Sequence, residues 1–403
     1  AALLFTLPLL LLAMMTPAAI RIQSTIVQQV GATAGRLYAV STVGSLVGAL
    51  VVGFVLIPFI GVSRIMTGSG VVLIVTALLW VLSLRHMRAA LVMAVVSITF
   101  FLIPDAPLSA ASDATLLYKT PSFYGEIRVV EKGSQRLLLV DGVSQTIVST
   151  GPSPLSFYTK TMRIAELLSR DPERALVVGL GGGLIPMDLH AAGVATDIVE
   201  IEPKMVMVAE EYFNFQPALF DIIFEDGRYF IQHTDRTYDI IVLDAYGAEQ
   251  LPEHLLTRES FQAFKDRLNP GGILALNIIG AVPSPFIKSM QRTLDELFPD
   301  SLVLANSDTN WTNVLFFMSD ELPDDMNAAI ASRCDSDECA RHYWNILKNE
   351  QVRIDVDATA LVLTDEHTPV YYWRAAASRD FRQWVWEYLG PKVNRSWPDS
   401  LNE

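Results

Sequence analysis

Arg174-Ala-Leu-Val-Val-Gly-Leu-Gly-Gly-Gly-Leu-Ile-Pro186, followed by Ala195-Thr-Asp-Ile-Val-Glu-Ile-Glu202, has the rhythm of strand, glycine turn, helix and second strand. Ala175 to Val178 is a short apolar run, the composition of a parallel strand buried on both faces. Gly179, Gly181, Gly182 and Gly183 permit a tight turn and leave the backbone open to a ligand. Met187 to Ala192 continues as a helix whose first N–H groups face that ligand. The second strand, Ile198 to Ile201, carries Glu200 where a ribose diol would be held. A glycine run alone is weak evidence. Glycines and a carboxylate at this separation inside a βαβ pattern point to a nucleoside site rather than a purely structural turn.

The same pattern extends downstream. Phe220–Phe224 and Tyr238–Leu243 read as strands that end at Glu225-Asp226-Gly227 and at Asp244. Arg258–Leu268 reads as a helix stopped by Asn269-Pro-Gly-Gly272, and Ile273–Asn277 as a further strand. Carboxyl ends of parallel strands line one crevice, so Glu200, Asp226 and Asp244 are expected to converge on the glycine turn. Asp226 either accepts from an adenine amino group or simply caps the helix at Arg228. Asp244, before Ala245-Tyr246-Gly247, is placed to hold or deprotonate an amine; the bland alternative is a turn aspartate. His254 either reaches the crevice or makes a loop contact, and His190 and His233 read as ordinary surface histidines. Trp373, Phe381, Trp384, Trp386 and Tyr388 read as helix packing or membrane-surface contact.

Composition divides the chain sharply. Residues 1–104 contain five arginines (Arg21, Arg36, Arg64, Arg85 and Arg88) and no lysine, aspartate or glutamate. The remainder holds 25 of the 30 basic and all 44 acidic side chains, a net charge of −19. That acidity argues against nucleic acid as a partner. Leu3–Ile20, Leu37–Ile60, Gly70–Leu84 and Ala89–Ile103 read as about four membrane spans. Small residues between Ser41 and Gly53 suit close helix approach. The chain starts without methionine inside an apolar run, so further spans are expected upstream. Four arginines against one would place the later domain outside the cell. An adenosyl donor argues for the cytoplasmic side, which is the placement adopted. The expected location is a bacterial-type inner membrane, multi-pass.

Between these regions, Pro104–Ser112 is a linker of Pro, Ala, Ser and Asp. Gly125–Glu131, Arg136–Val140 and Val143–Val148 read as three strands of a small sheet, with Lys132-Gly-Ser as the hairpin turn. Ser153–Leu168 reads as a helix packing that sheet on the main domain. The only cysteines, Cys334 and Cys339, are either a local disulfide or two thiols. With His342 as sole candidate third ligand, no metal site is expected. The domain reading is therefore 1–104 transmembrane, 105–117 linker, 118–172 β module with helix, and 173–320 Rossmann-like α/β. Residues 321–403 form a helical extension with a return strand near 360–364.

At these residues the chain resembles the spermidine synthase (polyamine aminopropyltransferase) family, from Tyr118 to about Pro369. The resemblance is carried by Val140-Asp-Gly-Val-Ser-Gln145, the glycine turn, Val199-Glu-Ile-Glu202, Glu225-Asp-Gly227 and Leu243-Asp244. Gly35–Gly48, Leu251–Arg258 and Leu363-Thr-Asp-Glu-His-Thr-Pro369 are similar to a membrane-fused branch with major-facilitator-like spans. The resemblance implies that Glu200 holds the ribose, Asp226 with Gly227 the adenine, and Gln145 the thioether end. Asp244 would be the base, with Tyr158 and Tyr246 lining the acceptor side. The implied co-substrate is decarboxylated S-adenosylmethionine or S-adenosylmethionine, and the acceptor a small amine or polyamine. A homo-oligomer is compatible with this, and the bilayer is the other expected partner.

The chain departs from the family at the acceptor. Gly182 stands where the family has an aspartate for the aminopropyl ammonium. Tyr158-Thr-Lys160 replaces a Tyr-His-Glu run, and Gly151-Pro-Ser-Pro154 an acidic pair. Two rivals follow: methyl transfer from S-adenosylmethionine, or another use of its sulfonium, and nucleoside or polyamine binding or transport without turnover.

Overall fold

The computed structural model describes residues 2–23, 27–83, 114–149, 157–246, 252–305, 312–370 and Trp373. The chain separates into two compact units, residues 1–98 and 99–403.

In the first unit α1 spans Ala2–Gln23 and α2 Val27–Val51. A π-helical turn, Val52–Leu56, leads into α3, Ile57–Ile60, and Gly61 separates it from α4, Val62–Ser83. Among the described residues one stretch, Val30–Ile60, is long and apolar enough to cross a membrane. The expected Leu3–Ile20 and Gly70–Leu84 spans lie largely within α1 and α4. Ala89–Ile103 lies outside the described residues.

The second unit opens with a four-stranded antiparallel sheet in the order β1-β2-β3-β4. Its strands are β1 (Ala114–Ser122), β2 (Gly125–Lys132), β3 (Gln135–Val140) and β4 (Val143–Ser149). The strand β1 begins inside the expected linker, where its Lys and Pro hid the alternation. The next helices, α5 (Phe157–Met162) and α6 (Ile164–Leu168), are broken at Arg163 rather than continuous.

The main sheet alternates strands and helices. In chain order come β5 (Arg174–Val178), α7 (Leu184–Ala191), β6 (Ala195–Val199), α8 (Pro203–Phe213) and β7 (Asp221–Ile223). There follow α9 (Gly227–His233), β8 (Tyr238–Leu243), α10 (Arg258–Lys265) and β9 (Leu268–Gly280). Then come α11 (Pro285–Asp295), β10 (Asp300–Ala305) and β11 (Thr312–Ser319). The order across the sheet is β10-β11-β9-β8-β5-β6-β7. Strands β5 to β9 pair in parallel, whereas β11 joins β9 and β10 joins β11 antiparallel.

This is a Rossmann-like α/β sheet, with its order reversing between β5 and β8. Side chains alternate across it. Leu176 and Val178 of β5 enter one core with Phe261, Phe264 and Met290; Ala175 and Val177 enter the other with Ile185, Leu189 and Leu167. Both faces are therefore covered, and continuous apolar runs follow.

Several expectations are corrected. The Arg258 helix ends at Lys265, and Asn269-Pro-Gly-Gly272 lies within β9, where its register against β8 slips between Tyr238 and Ile240. A bulge, not a loop, absorbs those turn residues. The small sheet packs through Ile127, Val129, Leu138 and Val140 on Met205, Val208 and Phe213 of α8, whereas most of α5 and α6 enters the core on the main sheet. No return strand forms near 360–364 among the described residues; Thr364 and His367 make a single bridge. Two C-terminal helices, α12 (Met326–Arg333) and α13 (Asp337–Glu350), are joined by a Cys334–Cys339 disulfide, which closes the alternative left open above. Trp373 packs partly buried against the core; the other C-terminal aromatics named above lie outside the described residues.

The closest approach in the fold's centre is testable. A Cβ added at Gly227 would lie 2.4 Å from Val178 Cγ1, because α9 rides directly on β5. Gly227→Ala is expected to destabilise the protein by about 1–3 kcal/mol. Combined with Val178→Ala, the denaturation midpoint should fall by less than the two single losses added together.

Candidate functional site

The order reversal places the ends of β5 and β8 side by side, and the glycine turn closes onto Asp244. Gly179 donates its N–H to the Val199 carbonyl (2.8 Å), and Asp244 donates its own to Val178 (2.9 Å). At φ 92° a Cβ on Gly179 would sit 2.4 Å from the Asp244 carbonyl oxygen, so only glycine fits. Gly183, at φ 77°, is overlaid in the same way by the Phe215 ring.

Glu200 is buried beside this turn. One carboxylate oxygen accepts from Leu180 N–H and the other from Glu202 N–H, both at 2.8 Å. Burial raises its pKa; the backbone donors and neighbouring Glu202 work against and with that effect respectively. Glu200 thus braces the turn as well as marking its edge. Asp226 caps α9 by accepting from Tyr229 N–H (2.9 Å), as the bland reading held. Its second oxygen lies 2.8 Å from His254 Nε2, and that hydrogen bond chiefly lowers its pKa. His254 therefore reaches the crevice edge. Its carbonyl accepts from Arg228, whose guanidinium forks onto Asp365. The segment containing Leu363–Pro369 is in this way docked at the start of α9.

The small sheet contributes more than expected. Thr146 Oγ1 accepts from Gly182 N–H (3.0 Å), and its methyl fills the space beside Gly182. A Cβ there would lie 2.7 Å from Thr146 Cγ2. Gln145 offers its backbone carbonyl to Tyr158 OH (3.3 Å). Tyr124, at the β1–β2 tip, has a pKa raised by burial first and then by the charges of Glu202, Asp226 and Glu200. Neither Thr146 nor Tyr124 was singled out by the sequence, because only strand pairing shows that a hairpin overhangs the turn.

Asp244 remains partly accessible from the crevice, but its carboxyl is enclosed. Burial lifts its pKa to about 7, opposed by a hydrogen bond from Asn277 Nδ2 (2.8 Å). Burial, followed by the Asp244 charge, pushes the Tyr158 phenol well above its ordinary value. Tyr246 turns to β9, donating to Asn277 O and accepting from Ile279 N–H (2.8 Å each). Of the expected acceptor-side residues, Tyr158 thus feels the Asp244 charge while its hydroxyl bonds to Gln145 O, and Tyr246 is tied to β9 beside Asn277. Lys160 lies near Asp188, whose pKa is raised by burial, with Arg163 and then Lys160 opposing that rise. Gly151–Pro154 lie outside the described residues. His190 packs edge-on to Phe220 and His233 stacks on Tyr229. Among the described residues no cluster of three or more His, Cys, Asp or Glu could hold a metal.

The glycine turn therefore lies at the switch point of the sheet, with Glu200 bonded to it and Asp244 against it. Residues 156–306 match the spermine/spermidine synthase domain family. The chain is 29% identical over 272 residues to a polyamine aminopropyltransferase of Vibrio vulnificus, covering 64% of this chain and 90% of that one. It is 34% identical over 130 residues to an N-terminal histidine N-methyltransferase of Emericella nidulans, covering 31% and 23%. The crystal structure of spermidine synthase from Thermotoga maritima aligns over 52% of this chain and 74% of its own, at 18% identity and TM-score 0.44. The chain is a transferase enzyme, and its residues 156–306 are similar to the spermine/spermidine synthase domain.

The enclosed carboxyl predicts an uncommon pH dependence. Asp244 has a folded pKa near 7 against an ordinary 3.8, so the folded state binds its proton more tightly. Its contribution to stability therefore declines as pH rises from about 4 to about 7 and is level above that, a change on the order of 4 kcal/mol. Asp244→Asn should remove this decline, which chemical denaturation of both proteins at pH 5 and pH 8 would reveal.

Proposed function

We propose that this chain is a membrane-anchored, spermidine synthase-like enzyme that transfers an aminopropyl group from decarboxylated S-adenosylmethionine to an amine. The observation that carries this reading is the meeting of Asp244 with the glycine turn, at the edge marked by Glu200. Glu200 would hold the ribose and Asp226 the adenine edge, with Gly179 to Gly183 leaving the main chain bare beneath them. The sulfonium supplies an electrophilic carbon. The amine nitrogen forms the new C–N bond as the C–S bond breaks, its electron pair passing to sulfur to leave methylthioadenosine. Asp244 takes the amine's proton, and a carboxyl that titrates near 7 suits that task. Tyr158 and Tyr246 line the acceptor side.

A second reading has its own support. The space beside Gly182 is filled by Thr146 and Phe213, so no carboxylate can stand there to grip an aminopropyl ammonium. Methyl transfer from S-adenosylmethionine fits that arrangement, and a methyltransferase is among the relatives, similar over 130 residues.

For location we propose a multi-pass protein of a bacterial-type inner membrane, with the α/β domain on the cytoplasmic side where adenosyl donors are made. The Val30–Ile60 helix supports the anchoring. The Cys334–Cys339 bridge favours an oxidising compartment and weighs against this sidedness. A phosphatase or fluorescent fusion at the C-terminus decides it.

Product analysis with both donors and a set of amines tests the reaction: methylthioadenosine is expected from aminopropyl transfer, S-adenosylhomocysteine from methyl transfer. Asp244→Asn should lower kcat by about 10²–10⁴-fold. Glu200→Gln should weaken donor binding, seen by thermal-shift titration. An Asp244→Asn rate equal to wild type would remove Asp244 as the base.

A further inference from the structure

The strands that carry the sheet past the crevice hold two asparagines, Asn277, already seen donating to Asp244, and Asn313, which no expectation named. Asn277 lies on β9 and Asn313 on β11, in an antiparallel pair where Asn277 stands opposite Leu315 and Asn313 opposite Ile279. They are diagonal neighbours on one face, within side-chain reach. Asn313 Nδ2 donates to Asn277 Oδ1 (2.7 Å), and Asn277 Nδ2 donates to Asp244 Oδ1 (2.8 Å). We propose that Asn277 and Asn313 form an amide relay that aims and tunes Asp244, and that both are positioning residues for its proton-accepting step.

The physics lies in the two unlike ends of an amide. Asn277 presents a donor or an acceptor to Asp244 according to which way its side chain is flipped. An ionised carboxylate needs the donor; a protonated one can donate to the acceptor. Asn313 occupies the Asn277 oxygen, and a flip would set NH₂ against NH₂. The relay thus selects the orientation that favours the charged, proton-accepting form. Asn277 is buried, so water does not readily replace its partner. Tyr246 fastens the Asp244–Tyr246 segment to the same stretch of β9, through Asn277 O and Ile279 N–H. The titratable group coupled to Asp244 is Tyr158 from α5, which also feels Tyr246. Among the described residues, burial raises and the Asn277 bond lowers its pKa, with no cation contributing. In such a site one lost donor is felt strongly.

This inference rests on Asp244 as the base, and its test separates the two. The full chain in detergent, labelled at the aspartate carboxyl carbon, is titrated by NMR, with the Asp244 signal assigned by its loss in Asp244→Asn. In Asn313→Ala the midpoint should rise by about one pH unit, because Asn277 is free to flip and accept from the protonated acid. The acid limb of kcat/KM, measured with each adenosyl donor and putrescine, should move alkaline by the same amount. That corresponds to about a fivefold loss at pH 7, recovering towards wild type at pH 9, with donor KM unchanged. Asn313→Ser, which keeps a donor, should restore much of the wild-type midpoint. An unmoved midpoint in Asn313→Ala would falsify the relay. A moved midpoint alongside undiminished transfer by Asp244→Asn would uphold the relay's control of the carboxyl and sink the base assignment instead.

Discussion

The contact between the Gly179 backbone and the Asp244 carbonyl is the constraint from which the site follows. Parallel pairing of β5 with β8 brings the two strand ends together, and the missing Cβ lets them close. A larger residue at 179 would push the turn away from β8. The nucleoside edge, marked by Glu200, would then lose its fixed distance from the acid that faces the acceptor. Strand order and one absent methyl group therefore set the spacing of the chemistry.

The acids around that contact are treated differently by the protein. Glu200 receives a backbone N–H on each oxygen, one from the turn itself, so its charge is compensated even though burial raises its pKa. Asp226 is more open and is held ionised by His254. Asp244 receives one side-chain donor and is otherwise enclosed. Glu200 and Asp226 each have a donor on both carboxylate oxygens, whereas Asp244 has one and is the most costly of the three to ionise.

The small sheet acts as the roof of this arrangement. Packed on α8, it brings Thr146 against Gly182, and Tyr124 at its tip feels the charges of Glu202, Asp226 and Glu200. It also fills the space beside Gly182 with the Thr146 methyl, so no side chain at 182 has room without a shift in the neighbouring sheet.

Local pattern was enough for the βαβ core. Apolar runs, the glycine turn and the acids at strand ends specify parallel strands covered on both faces, because burial and backbone sterics act within a few residues. Glu200, Asp226 and Asp244 were legible for that reason, and so was the sharp change of composition near residue 104. The strand pairings were not. That β9 runs through Asn269-Pro-Gly-Gly272, that α8 rather than the 157–168 helices carries the small sheet, and that His254 meets Asp226 all depend on partners distant in the chain. Asn277 and Asn313 look like ordinary strand residues in the sequence. Only antiparallel pairing of β9 with β11, beside a β8 that ends in Asp244, places their amides end to end on a carboxylate. The chain's own chemistry determined which acids exist at strand ends; packing decided that Glu200 receives a backbone N–H on each oxygen while Asp244 receives a single side-chain donor, and it is the donors, not burial alone, that set the two carboxyls apart.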